Sequence, residues 1–233
     1  MFLLSVALAV PGWMANATTG EAKRGSAKFF RLHAEFLERA NEGPVGVLFL
    51  GDSITEGWRK VPEIWDAHYG QYQPANFGIG GDRTEHVIWR IEQGELDKIS
   101  PKVVVLMIGT NNTGDNAAVE IAAGNRRIVA LIQDALPRTK VLLLGVFPRG
   151  PRGTRDGSME DWQGKMAKIT AINADLAQLD DGSRVRFLDI GDSFRAPDGS
   201  LPKAIMPDQL HLSAAGYQIW VEAMAPLLAE MMR

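Results

Sequence analysis

Short, predominantly apolar runs alternate along this 233-residue chain with longer segments of helical periodicity. The runs lie at 45–50, 103–108, 141–146 and 185–190, with a shorter extended piece at 74–77. Because they do not alternate apolar with polar residues, both of their faces must be buried, as in a parallel sheet covered by helices. We therefore predict an α/β protein, a three-layer α/β/α sandwich with a five-stranded parallel sheet.

The segments between these runs predict helices at 23–42, 83–93, 117–136, 162–179 and 213–231, the last capped by Ser213. A further helical segment, from Thr55 to about Asp66, is expected to be interrupted at Pro62. His33 is expected on the surface of the leading helix. The one long loop, 147–161, contains three arginines for which we favour a solvated surface role over binding of an anionic group: Arg149, Arg152 and Arg155.

The domain division follows from the absence of any linker-like stretch, so a single domain is predicted at 45–233, preceded by a leading helix and lead-in at 18–44. At the amino terminus, nine apolar residues and the Ala15-Asn16-Ala17 triplet indicate a signal peptide at 1–17. The nine residues are too few to span a bilayer, so we expect no stable membrane insertion. Secretion or periplasmic location is predicted, with a cytoplasmic protein that retains this segment as the alternative.

Composition excludes some classes of function. The chain has no cysteine, which rules out disulfides, thiolate zinc sites and a cysteine nucleophile. Its net charge of -3, without a block of Lys and Arg, argues against nucleic-acid binding. We expect no metal and no cofactor, and we leave oligomeric state open, with a homodimer as one option.

Candidate chemistry converges on Ser53, which follows the first predicted strand in Gly51-Asp52-Ser53. In an open parallel sheet the loops at the carboxyl ends of the strands meet at one edge, where ligands bind. Of the four histidines, His211 lies after the fifth strand and three residues beyond Asp208, so one turn would bring the two side chains together. Ser53 as nucleophile, His211 as base and Asp208 as its orienting carboxylate would form a triad.

The second and third strands lead to a glycine turn and to Asn111, which predict the donors for a developing oxyanion. We expect the N–H groups of Ser53 and Gly81 and the side chain of Asn111 to supply them. A second Gly-Asp-Ser triplet ends at Ser193, but a turn-rich loop follows it, whereas a helix begins at Ser53. We therefore favour Ser53.

Four blocks of the sequence resemble the SGNH (GDSL-type) esterase and lipase superfamily: Gly51-Asp52-Ser53, Gly81, Asn111 and Asp208-x-x-His211. The longer matches NFGIGGD, HVIWRIEQGEL and GTNN are most similar to the catalytic subunits of intracellular platelet-activating-factor acetylhydrolase. The resemblance implies the same triad and oxyanion donors. It also implies that Ile54, Thr110 and Leu210 crowd the acyl site and favour an acetyl or other short acyl group.

The function predicted is a metal-independent serine esterase for short acyl esters of small-molecule, carbohydrate or lipid alcohols. One alternative is a non-catalytic, flavodoxin-like binding or assembly module with the same fold. Another, a metal-dependent phosphohydrolase, would need more carboxylates and histidines at the strand ends than Asp52 and Asp82 supply.

Overall fold

The structure, a computed structural model, describes residues 16–154 and 157–233. The predicted signal peptide therefore lies outside the described residues, apart from Asn16 and Ala17. One parallel sheet runs through the described part with the strand order β2-β1-β3-β4-β5. Its strands are β1 (Val47–Gly51), β2 (Pro74–Gly78), β3 (Val103–Met107), β4 (Lys140–Leu144) and β5 (Val185–Leu188). This confirms the five-stranded parallel sheet, in the order that flavodoxin-like folds share.

The helices follow the predicted periodicity, with one difference between 55 and 66. They are α1 (Ala27–Asn41), α2 (Ser53–Glu56), α3 (Pro62–Tyr69), α4 (Thr84–Glu92), α5 (Ala118–Ala135), α6 (Trp162–Leu176) and α7 (Ala214–Met231). Pro62 does not interrupt a helix but begins α3, after a 3-10 turn at Gly57–Lys60. The first helical position suits proline because its N–H would have no partner there and its φ is already helical.

Two apolar clusters, one on each face of the sheet, make the three layers. Successive strand side chains point to opposite faces, so Leu48 and Leu50 of β1 enter one cluster, with side chains of α1, α4, α5 and α6. Val47 and Phe49 enter the other, which holds Trp58 and the apolar side chains of α7. The α/β/α sandwich is thus confirmed. Among the described helices, none is both long and apolar enough to cross a bilayer.

The leading helix is built into the first cluster through Phe29, Leu32 and Phe36. His33, expected on its surface, is instead buried, and its Nδ1 lies 3.2 Å from Oε2 of Glu95. The prediction was wrong because α1 packs on the sheet through a wider face than its apolar spacing indicated. The lead-in is also attached, since Thr84 Oγ1 donates a hydrogen bond to the buried Ala17 carbonyl at 2.9 Å.

Candidate active site

Ser53 lies where β1 turns into α2, at the carboxyl edge of the sheet. The strand order reverses beside β1, which makes this the switch point where ligands bind in such sheets. Asp52 caps the short helix, because its Oδ1 accepts the Ile54 N–H at 2.9 Å. The cap turns the chain sharply after β1, so that the half-buried Ser53 faces the loops that follow the other strands.

The segment between Asp208 and His211 forms the expected single turn. Gln209 has a positive φ of 62°, and its side-chain amide donates to the carbonyls of Leu201 and Met206. Asp208 Oδ1 accepts the N–H groups of Leu210 at 3.2 Å and His211 at 2.7 Å. These bonds close the turn and place the carboxylate and the imidazole on the same side.

A hydrogen-bonded row of three side chains results. Asp208 Oδ2 lies 2.7 Å from Nδ1 of His211, and Nε2 of that imidazole lies 2.9 Å from Oγ of Ser53. The structure thus brings together three residues that the sequence separates by as much as 158 positions. With Nδ1 protonated and facing the carboxylate, Nε2 is the nitrogen able to accept the serine proton.

Asp208 also forms an ion pair with Arg152. Nη2 of Arg152 donates to Asp208 Oδ2 at 2.9 Å, the same oxygen that faces His211. Partial burial on its own would raise the pKa of the Asp208 carboxyl. Hydrogen bonds from the His211 backbone and imidazole, together with the Arg152 charge, outweigh burial and lower that pKa below its usual range. The Asp208 carboxylate therefore stays ionised to a lower pH than an ordinary aspartate.

Two of the predicted oxyanion donors, Gly81 and Asn111, lie on the loops after β2 and β3. Gly81 has a φ of 74°, and a Cβ built on the preceding Gly80 would lie 3.8 Å from the Cβ of Ser53. Asn111 Nδ2 donates to the Asp82 carbonyl at 2.8 Å and lies 3.5 Å from Oδ2 of Asp52. Within residues 16–154 and 157–233, the N–H groups of Ser53 and Gly81 donate to no protein acceptor. They are free to bind a ligand.

Asp52, which precedes Ser53 in the chain, has a fully buried carboxyl group. Its burial raises the pKa to about 7, against the opposing effect of the Ile54 N–H bond, and the charge of Asp82 adds to the rise. From the sequence, Asp52 is part of the Gly-Asp-Ser triplet and one of two carboxylates at the strand ends. Its role as helix cap and as a neighbour of Asn111 requires the tertiary structure.

The three residues expected around an acyl group each adjoin a site residue in the chain. Ile54 follows Ser53, Thr110 precedes Asn111, and Leu210 precedes His211. All three are buried, with exposed fractions of 1%, 1% and 5%. The role of these three residues in limiting the acyl group stays a prediction.

The arginine-bearing loop differs from the solvated surface that we expected. Arg149 is buried, donating to Thr110 Oγ1 at 3.3 Å and to Glu160 Oε1 at 2.6 Å. Arg152 pairs with Asp208, as described above, and Arg155 lies outside the described residues. The prediction was wrong for Arg149, because a loop composition cannot show that the loop folds inward onto Thr110 and Glu160, whereas the Arg152 side chain stays 34% exposed. Ser193, in the second triplet, lies exposed in a 3-10 turn after β5.

The sequence of this chain is similar to a family of lipases and acylhydrolases and to two acetylhydrolase subunits. Residues 49–219 match the model of the GDSL-like Lipase/Acylhydrolase family. Platelet-activating factor acetylhydrolase IB subunit alpha1 of Bos taurus is 35% identical over 211 residues, 90% of this chain and 86% of that protein. Subunit alpha2 of Rattus norvegicus is 37% identical over 197 residues, 83% of this chain and 80% of that protein.

Among solved structures, a putative acylhydrolase from Bacteroides fragilis aligns with a TM-score of 0.71 at 21% identity. The alignment covers 86% of this chain and 97% of that one. At this identity the likeness shows the fold, and it agrees with the sandwich described above.

Proposed function

Because this chain belongs to the GDSL-like lipase/acylhydrolase family and is thus a carboxylic ester hydrolase, we propose that Ser53, His211 and Asp208 are its catalytic triad. The observation that carries the proposal is the unbroken row from Asp208 Oδ2 through the imidazole to Ser53 Oγ, with separations of 2.7 and 2.9 Å. Membership of a hydrolase family also favours an enzyme over the binding module considered above.

The reaction runs through an acyl-enzyme. Ser53 Oγ attacks the ester carbonyl while Nε2 of His211 takes its proton, and Asp208 stabilises the imidazolium that forms. The carbonyl π electrons move to the oxygen, which the N–H groups of Ser53 and Gly81 and the side-chain amide of Asn111 stabilise. The tetrahedral intermediate collapses, breaking the bond to the alcohol oxygen, which takes the Nε2 proton. Water then repeats the sequence and releases the carboxylic acid.

The acyl group is proposed to be acetyl or of similar length. Ile54, Thr110 and Leu210, each adjacent in the chain to a proposed site residue, are buried and are proposed to bound the acyl group, and two relatives bear the name acetylhydrolase. For the alcohol we propose a carbohydrate or a lipid. Rates measured with acetylated sugars and acetylated phospholipids, each compared with its butyryl analogue, would identify the alcohol and test the preference for acetate.

The triad is tested by replacing its nucleophile. Ser53→Ala is expected to lower kcat on p-nitrophenyl acetate by about 10³-fold or more and to abolish the mass increment from an ethoxy fluorophosphonate. Ser193→Ala, in the second Gly-Asp-Ser triplet, is the matched control and should keep both. Wild-type turnover in Ser53→Ala, or an adduct on Ser193, would refute the assignment.

Secretion or periplasmic location, with residues 1–17 removed, also remains a proposal. Cleavage after Ala17 would remove the carbonyl that accepts the Thr84 hydroxyl. Amino-terminal sequencing of protein from the native host tests it, because an intact Met1 would favour the cytoplasmic alternative.

A further inference from the structure

The turn at Gly80 and Gly81 is held by hydrogen bonds to two charged side chains. Lys23 Nζ donates a hydrogen bond to the Gly80 carbonyl at 2.7 Å. The Gly80 N–H donates in turn to Oε2 of Glu56 at 2.6 Å. Two charged side chains therefore set the orientation of this turn.

The Gly80 carbonyl and the Gly81 N–H belong to the same peptide group. In a trans peptide these two groups point in opposite directions, so the atom that holds the carbonyl also fixes where the N–H points. Within the described ranges, 16–154 and 157–233, this N–H has no protein acceptor. The turn lies against Ser53, as the 3.8 Å separation between a Gly80 Cβ and the Ser53 Cβ shows.

We propose that Lys23 is a positioning residue for the oxyanion hole, holding and polarising the Gly80–Gly81 peptide so that the Gly81 N–H meets the developing negative charge. This inference rests on the proposed esterase mechanism. A hydrogen bond from a charged donor is roughly twice as strong as a neutral one. It draws electron density towards the carbonyl oxygen, and linked hydrogen bonds strengthen one another, so the N–H becomes a better donor.

The lead-in holds Lys23 in place. Glu21 lies two residues before Lys23, and its N–H donates a hydrogen bond to the Glu85 carbonyl at 3.0 Å. Asp82 Oδ1 lies 3.8 Å from the ammonium, whose side chain is 26% exposed. Lys23 lies outside the family match at 49–219, so a segment before the matched region completes the proposed site.

The test compares Lys23→Met, which keeps the length of the side chain without its charge, with Lys23→Arg, which keeps the charge. We expect Lys23→Met to lower kcat on p-nitrophenyl acetate on the order of tenfold, less than loss of a whole oxyanion donor, with KM changed less than twofold. Lys23→Arg should recover most of the rate. The matched control is Lys140→Met, which removes a lysine bond to the Met231 carbonyl at the start of β4, and it should behave as wild type.

A second measurement separates positioning from folding. The oxyanion formed when 1,1,1-trifluoro-2-butanone adds to Ser53 would occupy the same hole, so its Ki should rise in Lys23→Met by the same factor as kcat/KM falls. Rates are expressed per active site titrated with the fluorophosphonate. If Lys23→Met does not fold, Lys23→Gln, which keeps a neutral donor, replaces it, with a smaller loss expected.

Two results would overturn the role of Lys23. One is an unchanged kcat and Ki per titrated site in the neutral variant, while wild type is active and labelled on Ser53. The other is an equal loss in Lys23→Met and Lys23→Arg, which would show that the charge does not matter. A wild-type protein that takes no label on Ser53 would instead refute the proposed function itself.

Discussion

Replacing Asp208 by asparagine tests the proposed triad member that orients His211 and does not itself react with the substrate. Asparagine can keep Oδ1, which accepts the N–H groups of Leu210 and His211, so the turn should persist. At the position of Oδ2, however, an amide N–H₂ would face two donors, Nδ1–H of His211 and Nη2 of Arg152. The imidazole would then favour the tautomer with its proton on Nε2, which cannot accept the proton of Ser53.

The size of the effect follows from the bonds that change. Losing the charge-assisted hydrogen bond to the imidazolium costs roughly 1.5–3 kcal/mol. Leaving the new amide N–H₂ opposite two other donors, without an acceptor, costs about 1–3 kcal/mol more. A total of about 2.5–6 kcal/mol corresponds to a rate loss of roughly 10²–10⁴, at tenfold per 1.36 kcal/mol. Since the Asp208 side chain is 42% exposed, water compensates part of the loss, and we expect about 10³-fold in kcat.

The assay is steady-state hydrolysis of p-nitrophenyl acetate at pH 7.5, with Tm measured alongside. Asp192→Asn is the matched control, because Asp192 is an exposed carboxylate in the second triplet, and it should leave kcat unchanged. The rate of fluorophosphonate labelling should fall with kcat, since both need the activated serine. A kcat within fivefold of wild type in Asp208→Asn, at an unchanged Tm, would refute the role given to this carboxylate.

Two further predictions concern acyl length and stability. Leu210→Ala should open the space beside Ser53 and raise the ratio of butyrate to acetate ester hydrolysis several-fold. It should also lower the free energy of unfolding by about 2–5 kcal/mol. An unchanged ratio in the folded variant would exclude Leu210 from the acyl site. Burial raises the pKa of Asp52 to about 7, so the folded state binds a proton on this carboxyl more tightly than the unfolded state does. The stabilisation that comes from this proton is lost as pH rises from about 4 to about 7. Asp52→Asn should therefore make Tm less dependent on pH between 5 and 8, whereas equal Tm profiles in the two proteins would contradict the buried, protonated carboxyl.

Much of the fold could be predicted because its determinants are local. The strands are predominantly apolar, and the helices carry apolar residues at helical spacing, so element type and order follow from neighbouring residues. The boundaries of β1 and α7 were predicted to within two residues. Ser53, Asp208 and His211 could be chosen because parallel strands bring their carboxyl ends to one edge, which limits the partners that a serine there can have.

What the sequence by itself determined is therefore the parallel sheet, the edge at which the chemistry lies and the residue types present there. Tertiary structure alone decided the contacts that tune the site. Lys23 reaches the Gly80 carbonyl across 57 positions and Arg152 reaches Asp208 across 56, while His33 and Arg149 turn inward to acidic partners. No local pattern encodes these pairs, because a long cationic side chain suits a solvated surface equally well. Only the packing of separate segments brings an acceptor within its reach.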